Sequence, residues 1–492
     1  MNAIVKLRGS PILPRRLARA SLALIPAILA FGSITAAPAP AVPPAVASAL
    51  HEARIPLDSI ALVVQEVGAQ PAVTRNADVP MNPASLMKLV TTFTALEALG
   101  PAFTWKTEAH VDGELKDETL AGNLILKGGG DPKITLESFW LLLRELRQKG
   151  IREIRGDVLL DRSLFAGTAH DAGRFDEQPL RAYNVGPDAL LLNFKAVRFV
   201  IAPDNEGRRV SVRADPALPG LTVRNTLKLT AGDCGDWKTS ARATFANGSD
   251  RAEATFAGTY ALSCGEQSWN LSLLSQAGYA ANLFRGLWQE MGGTLAGQVR
   301  DGSVGPNSRL FATLTSPQLA EIVRDINKFS NNVMARQLFL TLDAQANGAP
   351  ATTERAATTV RSLLAKRGLV FPELMMENGA GLSRSDRISA AHLTQLLQTA
   401  FASAVMPEFI SSLPLTAADG TMRKRLLGTA AAGQAHIKTG SLEGVRAQAG
   451  YVLDARGRRW TVVAMVNHAN AANAQPAFDA LLQWVASGAA GR

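Results

Sequence analysis

The sequence predicts an α/β sandwich carrying a large β-rich insertion, and three observations lead there. Strand-like segments stand at both ends of the chain with helical stretches between them, so one sheet is expected to pair the two ends. Between Trp105 and about Leu271 the texture changes to short alternating strands and Gly/Asn/Asp turns. The length, 492 residues, exceeds what one core supports, because chains divide beyond about 250–300 residues, and it implies about three folding units. The expected partition is residues 1–37 as an export signal, 38–49 as a Pro/Ala tether, 50–102 with 276–492 as the main domain, and 103–275 as an insertion of two β subdomains.

Residues 1–37 contain Lys6, Arg8, Arg15, Arg16 and Arg19 and no acidic residue. An apolar run from Leu22 to Ile34 and the small residues Thr35, Ala36 and Ala37 follow, the pattern of a cleaved signal peptide. The run is shorter than the ~20 residues of a spanning helix and is interrupted by Pro26 and Gly32, which argues against an anchor. No later segment has 18 uninterrupted apolar residues, so no stable transmembrane segment is expected after cleavage, and the expected location is the periplasm. The stretch APAPAVPPAVAS then reads as a mobile tether.

Residues 59–67 read as a strand, Gly68 as a turn and Pro71–Arg75 as its return strand. A helix follows, with Asn82 as its cap, Pro83 in its first turn and Gly100-Pro101 as its end. Leu86, Leu89, Val90, Phe93 and Leu96 form its apolar stripe. Within the insertion one helical stretch, Leu136–Gln148, interrupts the strands. Helical pattern resumes at 276–291 and runs to about Ala400. A strand at 436–438, a hairpin of Val445–Leu453 and 460–467 around Arg456-Gly457, and a helix at 477–485 complete the chain.

The net charge of +9 is not a nucleic-acid signature. Without the five basic residues of the export segment, 46 basic residues face 42 acidic ones, and no basic run with interleaved aromatics occurs. The six histidines show no metal-binding spacing, and two cysteines cannot make a zinc site alone, so no metal or cofactor is expected. Export into an oxidising compartment favours a disulfide between Cys234 and Cys264 in the second β subdomain.

Three short motifs carry the chemistry. Ser85 and Lys88 are three apart on the capped helix, so the amine can reach the hydroxyl, and the first-turn position of Ser85 leaves its N–H free for a developing oxyanion. Ser330-Asn331-Asn332 forms a polar break between two helical runs. Lys438-Thr439-Gly440 closes a strand whose alternation puts His436, Lys438 and Gly440 on one face. A phosphate loop is excluded at Lys438-Thr439, because Gly433 is out of register and Ile437 stands where the second glycine is required.

S-x-x-K, S-x-N and K-T-G in this order resemble the trio of the penicillin-binding and serine β-lactamase superfamily. With GGGDP at 128–132, DRSLF at 161–165, ENGAGLSR at 377–384 and DGTMRKR at 419–425, the chain is similar to the D-alanyl-D-alanine carboxypeptidase/endopeptidases, the class C low-molecular-weight penicillin-binding proteins of peptidase family S13. The family's usual DGSGLSR reads NGAGLSR here. The resemblance implies a penicillin-binding transpeptidase-like sandwich, peptidoglycan peptides as substrates and β-lactam antibiotics as acylating ligands. It implies Ser85 as nucleophile, Lys88 as general base and Ser330 as proton relay. Asn332 would hold the substrate amide, Lys438 with Thr439 or Ser441 its terminal carboxylate, and the Ser441 N–H would complete the oxyanion site. Asp161 and Arg384 would grip the zwitterionic end of a diaminopimelate side chain, with Glu443 nearby. The competing readings are a β-lactamase of the same fold and a catalytically idle wall-binding module. Intact Ser85, Lys88, Ser330 and Lys438 speak against the idle module. The long insertion, suited to a polymer, and the lack of an assignable glutamate to activate water speak against the lactamase.

Overall fold

The computed structural model describes residues 42–491 apart from 168–169, 205 and 207; the expected export signal and the first part of the tether lie outside them. The central sheet is antiparallel, in the spatial order Pro71–Arg75, Ile60–Glu66, Arg459–Asn467, Val445–Leu453, Ala435–Leu442. The two ends of the chain meet in its middle, where Ile60 pairs with Val466 and Glu66 with Trp460. Strand periodicity of two divides the side chains between two cores. Ile60, Leu62, Val64, Ile437, Val462 and Val466 point to one. Ala61, Val63, Ala449, Tyr451, Val463 and Met465 point to the other.

The first core is closed by the helices Pro44–Glu52 and Gln475–Ala486. Here the tether expectation fails: residues 44–49 belong to a helix rather than to a mobile linker. Pro44 suits a first helical turn, and Val46 and Leu50, four apart, share one buried side, so a composition that read as extended folds once it has a partner. On the opposite face Met87–Leu99 packs with Leu319–Lys328, Asn332–Asn347 and Ala390–Phe401. Met87–Leu99 is buried on nearly every side, Lys88, Thr91 and Thr92 included, so its polar row faces other protein groups rather than solvent.

The insertion shares one apolar core distributed over several small sheets and the helix Leu136–Gln148. Its boundary needs correction. The helix Gln276–Glu290 contributes Phe284 and Trp288 to the insertion core, Arg309–Thr315 pairs antiparallel with Lys106–Val111, and Val299–Asp301 runs parallel to Val158–Asp161. The insertion therefore extends to about residue 315 instead of 275. Strands of two and three residues paired with distant partners leave no periodicity to read. Cys234 and Cys264 are joined by a disulfide within this region.

Candidate active site

Asn82 organises the turn that presents Ser85. Its Oδ1 accepts from Ala84 N at 2.9 Å, its Nδ2 donates to the Ser383 carbonyl at 2.8 Å, and its N–H donates to Asn467 Oδ1 at 2.8 Å. The helix expected to start at an Asn82 cap opens instead as a 3-10 turn, Ala84–Leu86, and becomes α-helical only at Met87, so Asn82 closes the preceding turn rather than capping the helix. Ala84 stands at φ +48°, a left-handed conformation that a non-glycine residue adopts at a cost of about 1 kcal/mol or more, held here by tight packing. Two glycines permit that packing. A methyl group at Gly440 would lie 2.7 Å from the Pro83 carbonyl oxygen, and one at Gly381 only 1.9 Å from that of Ala84. The K-T-G strand and the NGAGLSR loop thus abut the Ser85 turn backbone to backbone.

Lys88 is fully buried. Its amine donates to Ser85 Oγ at 3.0 Å, Asn332 Oδ1 at 2.6 Å and the Ala380 carbonyl at 2.5 Å. Burial, with the nearby charges of Lys438 and Arg336, holds its pKa well below that of an ordinary lysine, while Asp386 pulls the other way. A buried amine with a depressed pKa, hydrogen-bonded to a serine hydroxyl, is equipped to take that hydroxyl's proton.

Ser330 occupies the bend between Leu319–Lys328 and Asn332–Asn347 at φ +55°. Its Oγ accepts from Lys438 Nζ at 2.8 Å. Lys438 is also fully buried, and desolvation brings its pKa down to about 7. The bend is braced from below: Lys328 Nζ donates to Asp419 Oδ2 at 2.6 Å and to the Leu413 carbonyl at 2.7 Å, and Thr421 and Thr439 share a 2.9 Å hydroxyl contact. The DGTMRKR segment thereby ties the Ser330 bend to the K-T-G strand. On that strand Thr439 is half-buried and Ser441 exposed, on the face opposite Lys438 and Gly440.

The structure thus brings Ser85, Lys88, Ser330, Asn332 and Lys438 into one constellation, while the Thr439 side chain leaves the opposite face of the strand and meets Thr421. It does not bring Asp161 together with Arg384. The Asp161 carboxylate accepts from Ser163 N, Ser163 Oγ and Val304 N, all within its own corner of the insertion. Its residue type suggested an ammonium ligand, but it is a buried loop organiser. Arg384 instead lines a cavity of about 800 Å³ beside the site, its guanidinium over Phe175 and bonded to Glu443 through the carbonyl at 2.9 Å and the carboxylate at 3.2 Å.

Several participants escaped sequence reasoning. The Ala380 carbonyl is a backbone group and leaves no residue signature. Asp386, whose carboxyl burial pushes up to about 6, accepts from Glu377 N at 2.8 Å and lies near enough to Lys88 to act on its charge. Lys328 and Arg336 sit in helical runs where a basic residue reads as solvated surface.

Comparison with known proteins identifies the family of the chain. The profile of the D-Ala-D-Ala carboxypeptidase 3 (S13) family matches residues 43–487. The D-alanyl-D-alanine carboxypeptidase DacB of Haemophilus influenzae is 25% identical over 80% of this chain and 81% of its own. A D-alanyl-D-alanine carboxypeptidase of Actinomadura sp. is 27% identical over 80% of this chain and 74% of its own. Among solved structures, penicillin binding protein 4 of Haemophilus influenzae superposes with a TM-score of 0.72 at 22% identity, covering 89% of this chain and 99% of its own. A predatory peptidoglycan endopeptidase of Bdellovibrio bacteriovorus reaches 0.53 at 15% identity, covering 88% and 93%.

Proposed function

The chain belongs to the D-Ala-D-Ala carboxypeptidase 3 (S13) family of serine peptidases, and on that premise we propose that it cleaves the D-Ala-D-Ala termini of peptidoglycan stem peptides through an acyl-enzyme on Ser85. The observation that carries this reading is the fully buried Lys88 amine, 3.0 Å from Ser85 Oγ and depressed in pKa. Neutral Lys88 takes the hydroxyl proton as Ser85 Oγ attacks the carbonyl carbon of the penultimate D-alanine. The negative charge that develops on the carbonyl oxygen meets the N–H groups of Ser85 and Ser441. As the C–N bond breaks, the proton passes to the leaving amine by way of Ser330, which the Lys438 amine orients. Water then hydrolyses the ester.

Asn332 turns its Oδ1 to Lys88, which leaves its amide nitrogen for a substrate carbonyl. Charged Lys438, with Thr439, serves the terminal carboxylate. The same chemistry releases a longer leaving amine, so cross-bridge cleavage falls within the proposal, as does stable acylation by penicillins. The N-terminal export segment supports action in the periplasm. Release of free D-alanine from a synthetic pentapeptide ending in D-Ala-D-Ala tests the reading: the wild-type chain releases it and Ser85→Ala does not. Equal release by both would reject it.

A further inference from the structure

Apart from the catalytic constellation, the insertion contains a cavity of about 530 Å³, within the range of about 300–1,000 Å³ typical of ligand pockets. None of Ser85, Lys88, Ser330, Asn332 and Lys438 lines it, and neither does Arg336 or Arg384 of the cavity beside the active site. On its wall Arg162 is paired with Asp188 at 2.6 Å and with Asp301 at 2.7 Å, so these charges are spent on one another. Lys195 differs. It is half-buried, and among the described residues its amine has neither a hydrogen-bond acceptor nor a carboxylate within ion-pair distance. Burial lowers its pKa against a partial opposing pull from Asp188, whose carboxylate already accepts from Arg162 and from Leu190 N at 2.9 Å.

The turn that carries Lys195 is held in place by packing. Asn193, Phe194 and Lys195 stand at φ +45°, +54° and +51°, left-handed conformations that successive non-glycine residues keep only where their surroundings fix them. Tyr279, buried on the helix Gln276–Glu290, supplies the restraint: its hydroxyl donates to the Ala196 carbonyl at 2.8 Å and accepts from Asn193 Nδ2 at 2.9 Å. The same helix begins at the cavity, with Ser275 and Gln276 on the wall. Ser275 Oγ takes the Gly278 N–H at 3.0 Å, while the Gln276 N–H, at the first helical position, has no acceptor within the helix. Ser272 also lines the cavity; it is 5% exposed, and its buried hydroxyl has no partner among the described residues. An unpaired amine, a helix N-terminus and an unused hydroxyl are donors for which the protein offers no acceptor, and together they suit an anion.

We propose that this cavity is a second peptide site, which binds the C-terminal carboxylate of a stem peptide other than the one being cleaved. The choice of a peptide rests on the peptidase reading above. Substrates and products of the reaction at Ser85 both end in a D-alanine carboxylate, and a polymer presents many such ends around one enzyme. A carboxylate offers charge and several acceptor positions to Lys195, the Gln276 N–H and the Ser272 hydroxyl, whereas a carboxamide has one neutral acceptor oxygen. The cavity exceeds a single amino acid several times over in volume, which favours a peptide end over released D-alanine. Once occupied, it keeps the insertion on the polymer while the catalytic site works on neighbouring ends.

Titration calorimetry on the full chain acylated by benzylpenicillin, which fills the catalytic site, provides the test. The probes are an acetylated tripeptide ending in D-alanine, the same peptide as its C-terminal carboxamide, and free D-alanine. The carboxylate peptide should bind, and the carboxamide should bind about 10- to 100-fold more weakly, the scale of a hydrogen bond to a charged group. Lys195→Met should lose a similar factor and Lys195→Arg should retain most of the affinity, while Ser272→Ala should weaken binding about 2- to 10-fold. Failure of the carboxylate peptide to bind, equal binding of the carboxamide, or unchanged affinity in Lys195→Met would overturn the inference; should that variant not fold, unchanged affinity in Ser272→Ala would do so. Free D-alanine binding as tightly as the peptide would overturn the peptide as occupant. If benzylpenicillin leaves no adduct, the peptidase reading fails, and the same titration of the unacylated chain judges the cavity separately through Lys195→Met.

Discussion

Lys438 Nζ donates a 2.8 Å hydrogen bond to Ser330 Oγ, repeating across the site the 3.0 Å pairing of Lys88 with Ser85. Two fully buried amines therefore serve two hydroxyls, and the charge of Lys438 helps depress the pKa of Lys88. In the proposed mechanism the two amines divide the labour: the one that must be neutral, Lys88, would act as base, and the one that must be charged, Lys438, would hold the substrate carboxylate.

The pH dependence has a definite sign. Lys438 titrates near 7, so it is charged below that value and neutral above it. The kcat/KM for D-alanine release should rise on the acid side as Lys88 loses its proton and fall on the alkaline side as Lys438 loses its own. Because the two amines interact, the apparent values belong to the pair. A profile that climbs without an alkaline limb up to pH 10 would contradict the assignment of Lys438.

Stability follows the same titration. The unfolded chain holds the Lys438 proton up to about its ordinary value of 10.5, whereas the folded chain releases it near 7. The unfolded state thus binds more protons between these limits, and folding stability rises with pH across that window. Lys438→Met removes the buried charge, so its stability advantage over wild type should be largest at and below pH 7 and shrink toward pH 10. Denaturant unfolding at pH 7 and 9.5 checks this; an advantage that grows with pH would refute it.

Replacing Lys88 by arginine keeps a cation but abolishes a usable base. Acylation by benzylpenicillin should fall by the ~10²–10⁴ that general-base assistance contributes. Stopped-flow acylation at the wild-type rate would mean that Lys88 acts only as a fixed charge.

The disulfide should matter for the insertion and not for the chemistry. Cys234 and Cys264 close a 30-residue separation, for which the chain-entropy treatment gives stabilisation of roughly 3–4 kcal/mol. Reduction should lower the insertion's unfolding temperature while leaving acylation at 25 °C intact, since the residues at the serine and lysine pairs come from outside the insertion. Parallel loss of acylation on reduction would contradict that separation.

Much of the site was legible because its residues are held by local geometry with strong sequence marks. Ser85 and Lys88 sit three apart just after the turn that Asn82 closes, and Lys438 alternates with Ile437 on an edge strand. The pairing of the chain ends followed from strand-like runs at both termini. What stayed hidden depends on partners far away in sequence. Pro44–Glu52 is a helix because Gln475–Ala486 covers it, and Arg309–Thr315 is a strand because Lys106–Val111 offers an edge. Asp161 could be read as a substrate ligand only while the loop that consumes its carboxylate was unknown. Arg336 could not be told from a solvated helix residue until the insertion was seen to bury it.

The measurement that bears most directly on the central claim is peptide-mapped mass spectrometry after incubation with benzylpenicillin. A single penicilloyl adduct on Ser85 that persists for minutes and is missing in Ser85→Ala is expected. An adduct on another residue, or undiminished labelling of Ser85→Ala, would contradict it.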